Sequence, residues 1–153
     1  MSVLTLPASF RVGIEELDTD HRRLFFGMNA LHDSVLSQDR GRAGVLIGEL
    51  GRLAVAHFER EEAMLTAHRY PLLRHQSSGH EAVYARLRTI AQRVGQADWR
   101  GLADTIEGLV MLKLEGVMVA DMEYRWWFDA RGIIPVVPPA EPTTLPYRAA
   151  VTA

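Results

Sequence analysis

Cysteine is absent from the 153-residue chain, which excludes disulfides, thiolate nucleophiles and every sulfur-ligated zinc or iron–sulfur site. Any metal bound here must be held by nitrogen and oxygen. An excess of positive charge is lacking too. The formal net charge is −2 and the pI about 6.3, and no run of five like charges occurs, so nucleic acid is not expected as a partner. No apolar stretch approaches the roughly 18 residues of a membrane span. Met1, Ser2 and Val3 open the chain without a basic segment leading into an apolar one. The expectation is a soluble, cytoplasmic protein with no membrane partner.

Strand-like alternation is also missing, and in its place the sequence carries a helical period. Residues 1 to 17, with Pro7 and Gly13, show no sustained period and read as an arm packed over the rest. Asp18 suits an N-cap, after which His21, Leu24, Phe25, Met28, Leu31, His32 and Val35 recur every three or four residues. A turn over Gln38 to Gly44 precedes a second stripe of Leu46, Leu50, Leu53, His57, Glu61 and Met64, which breaks before Pro71. Pro71 suits a first helical position, and Leu73, Gln76, His80, Val83, Leu87, Ile90 and Val94 form a third stripe ending near Gly95. Asp98 can cap a fourth, running through Leu102, Ile106, Leu109, Lys113, Gly116, Val117, Ala120, Asp121, Tyr124 and Phe128, with Gly132 beyond its end. The pattern predicts an all-α fold, an antiparallel up-down four-helix bundle over residues 1–132. The tail over 133–153 holds five of the chain's seven prolines and is expected to run extended, or to serve as a docking segment. No internal repeat is present.

A bundle interior should be apolar, yet each predicted inner stripe carries a polar group able to bind metal: His21, then His57 and Glu61, then Gln76 and His80, then Asp121. Burying unpaired carboxylates and imidazoles costs several kcal/mol each, so an inward set of this size requires a counter-charge. A divalent metal supplies it. His57 and Glu61 lie four apart on one helical face, as do Gln76 and His80, the arrangement by which bundles build dimetal sites. Singly, an inward histidine is more often bonded to a backbone carbonyl than to a metal; it is the combination over four helices that favours the metal. Imidazole and carboxylate ligands leave iron, manganese and zinc all chemically possible.

These residues resemble the hemerythrin family, in particular its bacterial members with an HHE-type metal-binding domain. The segment Val12-Gly13-Ile14-Glu15-Glu16-Leu17-Asp18-Thr19-Asp20-His21-Arg22-Arg23-Leu24-Phe25 is similar to the family's opening segment. His57-Phe58, Glu61-Glu62 and Met64 are similar to its His-Phe-x-x-Glu-Glu-x-x-Met motif. Tyr70-Pro71, His80-Glu81 and Asp121 with Tyr124 continue the likeness, which covers roughly residues 10 to 128. The resemblance implies two irons joined by an oxo or hydroxo bridge and by Glu61 and Asp121, with His21 and His57 on one iron and O₂ bound reversibly at an open position. It also implies a ligand pocket beside the metal, assigned here to Leu24, Gly116 and Val117.

The other iron departs from this pattern. The family supplies three histidines, and here only His80 stands in place: Gln76 and Gly116 occupy the other two positions. Gln offers a weak neutral amide oxygen and Gly offers only space. His75 could reach the site through a π-bulge before His80, and Glu115 could substitute if its roughly 100° offset from Gly116 were overcome. Lys113 has two readings: its ammonium pairs with Glu61 or Asp121 in place of a metal charge, or its stem snorkels to solvent. His32 and His68 are expected on the surface or between helices, and Trp99, Trp126 and Trp127 in the packing of the last helix. The resulting expectation is a non-haem iron protein that binds O₂ or a related small ligand for carriage, storage or sensing, with no catalytic residues. Two alternatives stand beside it. One is a module with a single metal and a regulatory or structural role; the other is an oxidase that activates O₂ or peroxide.

Overall fold

The computed structural model describes residues 10 to 139. All regular structure among them is helical: α1 (Glu15–Leu36), α2 (Arg40–Ala67), α3 (Leu73–Gly95), α4 (Leu102–Gly116), a π-helical turn (Val117–Asp121) and α5 (Met122–Ala130). The π turn joins α4 and α5 into one rod, so the molecule is a four-helix bundle. Consecutive rods pack on each other and α1 closes the ring against α4. The predicted stripes form the interior: Leu24, Met28 and Leu31 meet Leu50, Phe58 and Met64, then Leu87 and Ile90, then Leu109, Tyr124 and Phe128, all at most 1% exposed. Truncating a residue such as Phe128 to alanine would cost about 3–5 kcal/mol. No helix among the described residues is long and apolar enough to cross a membrane.

The helix starts differ from the sequence expectations. Asp18 does not cap α1, which begins at Glu15; its buried carboxylate instead reaches back to accept the backbone N–H of Val12 at 2.7 Å and of Gly13 at 3.0 Å. Arg125 of α5 donates to the Val12 carbonyl at 2.9 Å, so residues 10 to 14 are tied across the bundle, with Val12 and Ile14 buried. The second helix starts inside the expected turn, because Asp39 accepts the Arg42 N–H at 2.9 Å and caps it. Pro71 lies in the turn before α3. Asp98 pairs with Arg93 rather than capping α4, and Gly101, with φ 66°, precedes that helix.

The three turns between rods share one device. Gln38, Arg69 and Ala97 all take positive φ near 55°, and each turn closes with a pair of backbone bonds onto the preceding helix, as in Asp39 N–H to Ser34 C=O and Gln38 N–H to Val35 C=O. These are left-handed helix ends, a conformation that glycine adopts with least strain. Gly132 ends α5 in the same way. Residues 133 to 139 have no regular structure, although Ile133 and Val137 pack on the core. The rest of the expected tail, and residues 1 to 9 of the expected arm, lie outside the described residues.

Candidate metal centre

The polar groups expected on the inner stripes converge. His21, His57, Glu61, Gln76, His80 and Asp121 are all buried. One ligand atom each from His21, His57 and Glu61 lie within 4.8 Å of one another, and Asp121 Oδ2 stands 3.3 Å from His21 Nε2. That last approach lacks hydrogen-bond geometry, and both nitrogens of His21 and Oδ2 of Asp121 have no hydrogen-bond partner among the described residues. Buried polar atoms are rarely left so. Two imidazoles and two carboxylates meeting at one buried point form a donor set suited to a first-row divalent ion.

The surrounding groups fix how these donors face. Asp20 accepts from His57 Nδ1 at 3.2 Å and is itself paired with Arg60. That assigns the proton to Nδ1 and turns the Nε2 lone pair of His57 inward. Burial first, and the neighbouring Lys113 second, hold His57 well below the ordinary imidazole range, so its ring is neutral as a ligand must be. Burial and Asp121 push the Glu61 carboxyl up. Bonding from His80 and the nearby charge of Lys113 are among the effects that outweigh them and hold it down at about 2. Burial likewise opposes ionisation of Asp121, and Lys113, then His21, bring its carboxyl below the usual range. Tyr124 donates to Glu61 Oε2 at 3.0 Å.

The other half of the centre is built differently. His80 sits between two carboxylates, Nε2 2.8 Å from Glu61 Oε1 and Nδ1 2.6 Å from Glu62 Oε1. Gln76 donates through its amide to Glu61 Oε1 at 3.0 Å and to Asp121 Oδ1 at 2.5 Å, spanning both acids. Lys113 does not snorkel. It is 4% exposed, with Nζ 3.5 Å from His57 Nε2, 3.9 Å from Asp121 Oδ2 and 5.1 Å from the centre of the Phe58 ring. Phe58 in turn stacks on His80 at 3.9 Å.

The π turn sets this register. In an uninterrupted α-helix, residues five apart point about 140° from each other, so Gly116 and Asp121 could not share a stripe. The wider turn over 117–121 takes up one residue, which brings Lys113, Gly116 and Asp121 towards one face. The π-bulge that His75 would need to reach the site is not there. α3 is regular, and His75 is exposed on the wall of a cleft of about 370 Å³. Glu115 is also exposed on that wall, and the inner end is formed by Gln76, His80, Lys113, Gly116 and Asp121. A Cβ at Gly116 would meet nothing within 4 Å. Of the three expected pocket residues only Gly116 lines this cleft; Leu24 and Val117 point into the core, each 1% exposed.

Several site groups were missed from sequence. Asp20 and Glu62 each adjoin an expected ligand, His21 and Glu61, and each supports a histidine of another helix: proximity along the chain was the available signal. Lys113, the only lysine among the 17 Lys and Arg residues, was singled out from sequence, and of its two readings the pairing with Asp121 is the one the geometry matches. His32 proves buried and bonded at 3.0 Å to Glu107, and His68 packs on Phe128. Trp127 packs on Tyr70 and Phe128 and Trp99 on the core, whereas Trp126, 64% exposed, does not pack as expected.

Comparison with known proteins agrees with this architecture. A bacteriohemerythrin of Stenotrophomonas maltophilia (strain R551-3) is 29% identical over 87 residues, covering 57% of this chain and 57% of that protein. The chain thus matches a little over half the length of that relative. The family profile described as the hemerythrin HHE cation binding domain matches residues 12–122, the span that contains every converging side chain above. The chain therefore belongs to the hemerythrin family.

Proposed function

We propose that this protein binds non-haem iron through His21, His57, Glu61 and Asp121, and that O₂ or a related small ligand reaches the metal from the cleft between α3 and the α4–π rod. The reading is supported above all by the buried meeting of His21, His57 and Glu61, whose ligand atoms lie within 4.8 Å of one another. Oδ2 of Asp121, which has no hydrogen-bond partner among the described residues, lies 3.3 Å from His21 Nε2 in the same cluster. Iron would supply an open coordination position for the ligand and a change of oxidation state. The chain's own residues supply the rest. Asp20 orients His57, Tyr124 and His80 hold Glu61, and the shell of Leu24, Met28 and Phe58 keeps bulk water away. No nucleophile or acid–base pair with a bound substrate is called for, which favours carriage, storage or sensing over catalysis.

The test is anaerobic loading with Fe(II), elemental analysis, and an absorption spectrum before and after admission of air. Bound iron and a near-ultraviolet change that reverses on deoxygenation are expected, and His57→Ala should abolish both while far-ultraviolet circular dichroism persists. Absence of iron, or steady consumption of O₂ in place of a reversible change, would overturn the reading.

A further inference from the structure

The structure carries an inference about how many ions this centre takes, and it rests on the iron-site reading above. The half formed by His21, His57, Glu61 and Asp121 fits a metal. The half that faces the cleft does not. There the amide of Gln76 already uses one oxygen of each bridging candidate, Glu61 Oε1 and Asp121 Oδ1, and those are the atoms a second ion would need. His80 shares Glu61 Oε1 and is tied on its other nitrogen to Glu62. Both of its ring nitrogens therefore face carboxylate oxygens.

The chain's single lysine, Lys113, lines the same cleft beside Gln76, His80, Gly116 and Asp121. Sixteen arginines serve elsewhere, so this position selects a compact ammonium on a long stem over a planar guanidinium. Lys113 reaches it from one turn before Gly116, held over the Phe58 ring and within 4 Å of both His57 Nε2 and Asp121 Oδ2. Local charge decides the outcome. Asp20 is paired with Arg60, and Glu61 and Asp121 are the two fully buried carboxylates at the centre. One divalent ion with the ammonium brings three positive charges against two; a second divalent ion would bring five, in a buried setting where such excess is strongly unfavourable.

We propose that Lys113, with the Gln76 amide, is a built-in replacement for the second metal, so that each chain takes one ion, and that removing the ammonium is what opens the second position. An ion at the first position would take His57 Nε2 and Asp121 Oδ2, the two atoms the ammonium now faces, and displace the ammonium towards the cleft, where the second ion would otherwise sit.

The full-length protein is titrated with Fe(II) under anaerobic conditions and, in parallel, with Co(II), and bound metal per chain is counted by elemental analysis after gel filtration. Wild type is expected to hold one ion. Gln76→His with Gly116→His, which restores two imidazoles but keeps Lys113, is expected to bind a second ion at least tenfold more weakly than the triple variant that adds Lys113→Met. Lys113→Gln in the same background gives a second, polar version should the methionine variant fail to fold, as judged by circular dichroism. Selective isotope labelling of lysine adds an independent readout, because the one side-chain resonance should shift when the first ion binds. Two ions in wild type would overturn this inference while leaving the iron-site reading intact, and no bound ion would overturn both. Equal affinity for the second ion with and without Lys113 would overturn the role assigned to the ammonium.

Discussion

Apart from His21, each of the converging polar side chains is held by a second one, and His80 shows what that does to its chemistry. Burial opposes its protonation, but its bonds to Glu61 and Glu62 outweigh burial and raise its pKa above the ordinary 6.5. A raised value in the folded state means that the stabilising contribution is fully present below pH 6.5 and is lost as pH climbs through the folded value. In metal-free protein, the difference in unfolding free energy between wild type and His80→Gln should therefore be larger at pH 6 than at pH 9. Urea titrations at the two pH values check this, and a difference that grows with pH would contradict it. The ligand candidates themselves were legible in the sequence, because an ionisable residue on an apolar stripe stands out at its spacing. Their supports were not. Asp20 and Glu62 sit on helix faces where acids are ordinary, and only the approach of a different helix reveals their use.

Among the elements, the helix bodies were readable from apolar spacing, while their ends and the π turn were not. Ends are decided by local competition: Asp18 looks like a cap, but with Val12 and Gly13 folded back over the bundle its carboxylate serves their N–H groups and the cap position moves back four residues, to Ile14. The π turn has no residue signature; its only trace was a stripe that placed Gly116 and Asp121 together against α-helical arithmetic. The left-handed turn residues give a direct prediction. Ala97, at φ 53°, bears a strain of about 1 kcal/mol that glycine would relieve, less a few tenths for the greater freedom of the unfolded chain. Ala97→Gly should raise the midpoint of thermal unfolding by a few degrees, measured by circular dichroism, with metal content unchanged. A lower midpoint would show that the alanine methyl contributes packing at that turn.

For the whole molecule, the proposed ion and the bundle support each other through linkage. An ion that binds only the folded chain stabilises it by about 2.7 kcal/mol at a hundredfold excess over Kd, which in a domain of this size corresponds to roughly 5 to 10 °C. Exhaustive chelation should lower the unfolding midpoint by about that amount yet leave a cooperative transition; collapse of the transition would mean that the metal is needed to form the bundle at all. Persistence is expected because of the Gln76 side chain. Its single amide nitrogen links Glu61 and Asp121, two acids on different helices whose mutual repulsion would otherwise spread the rods apart. A neutral clasp of this kind keeps the metal-free chain in its working shape, so that the proposed ion would enter and leave a standing frame.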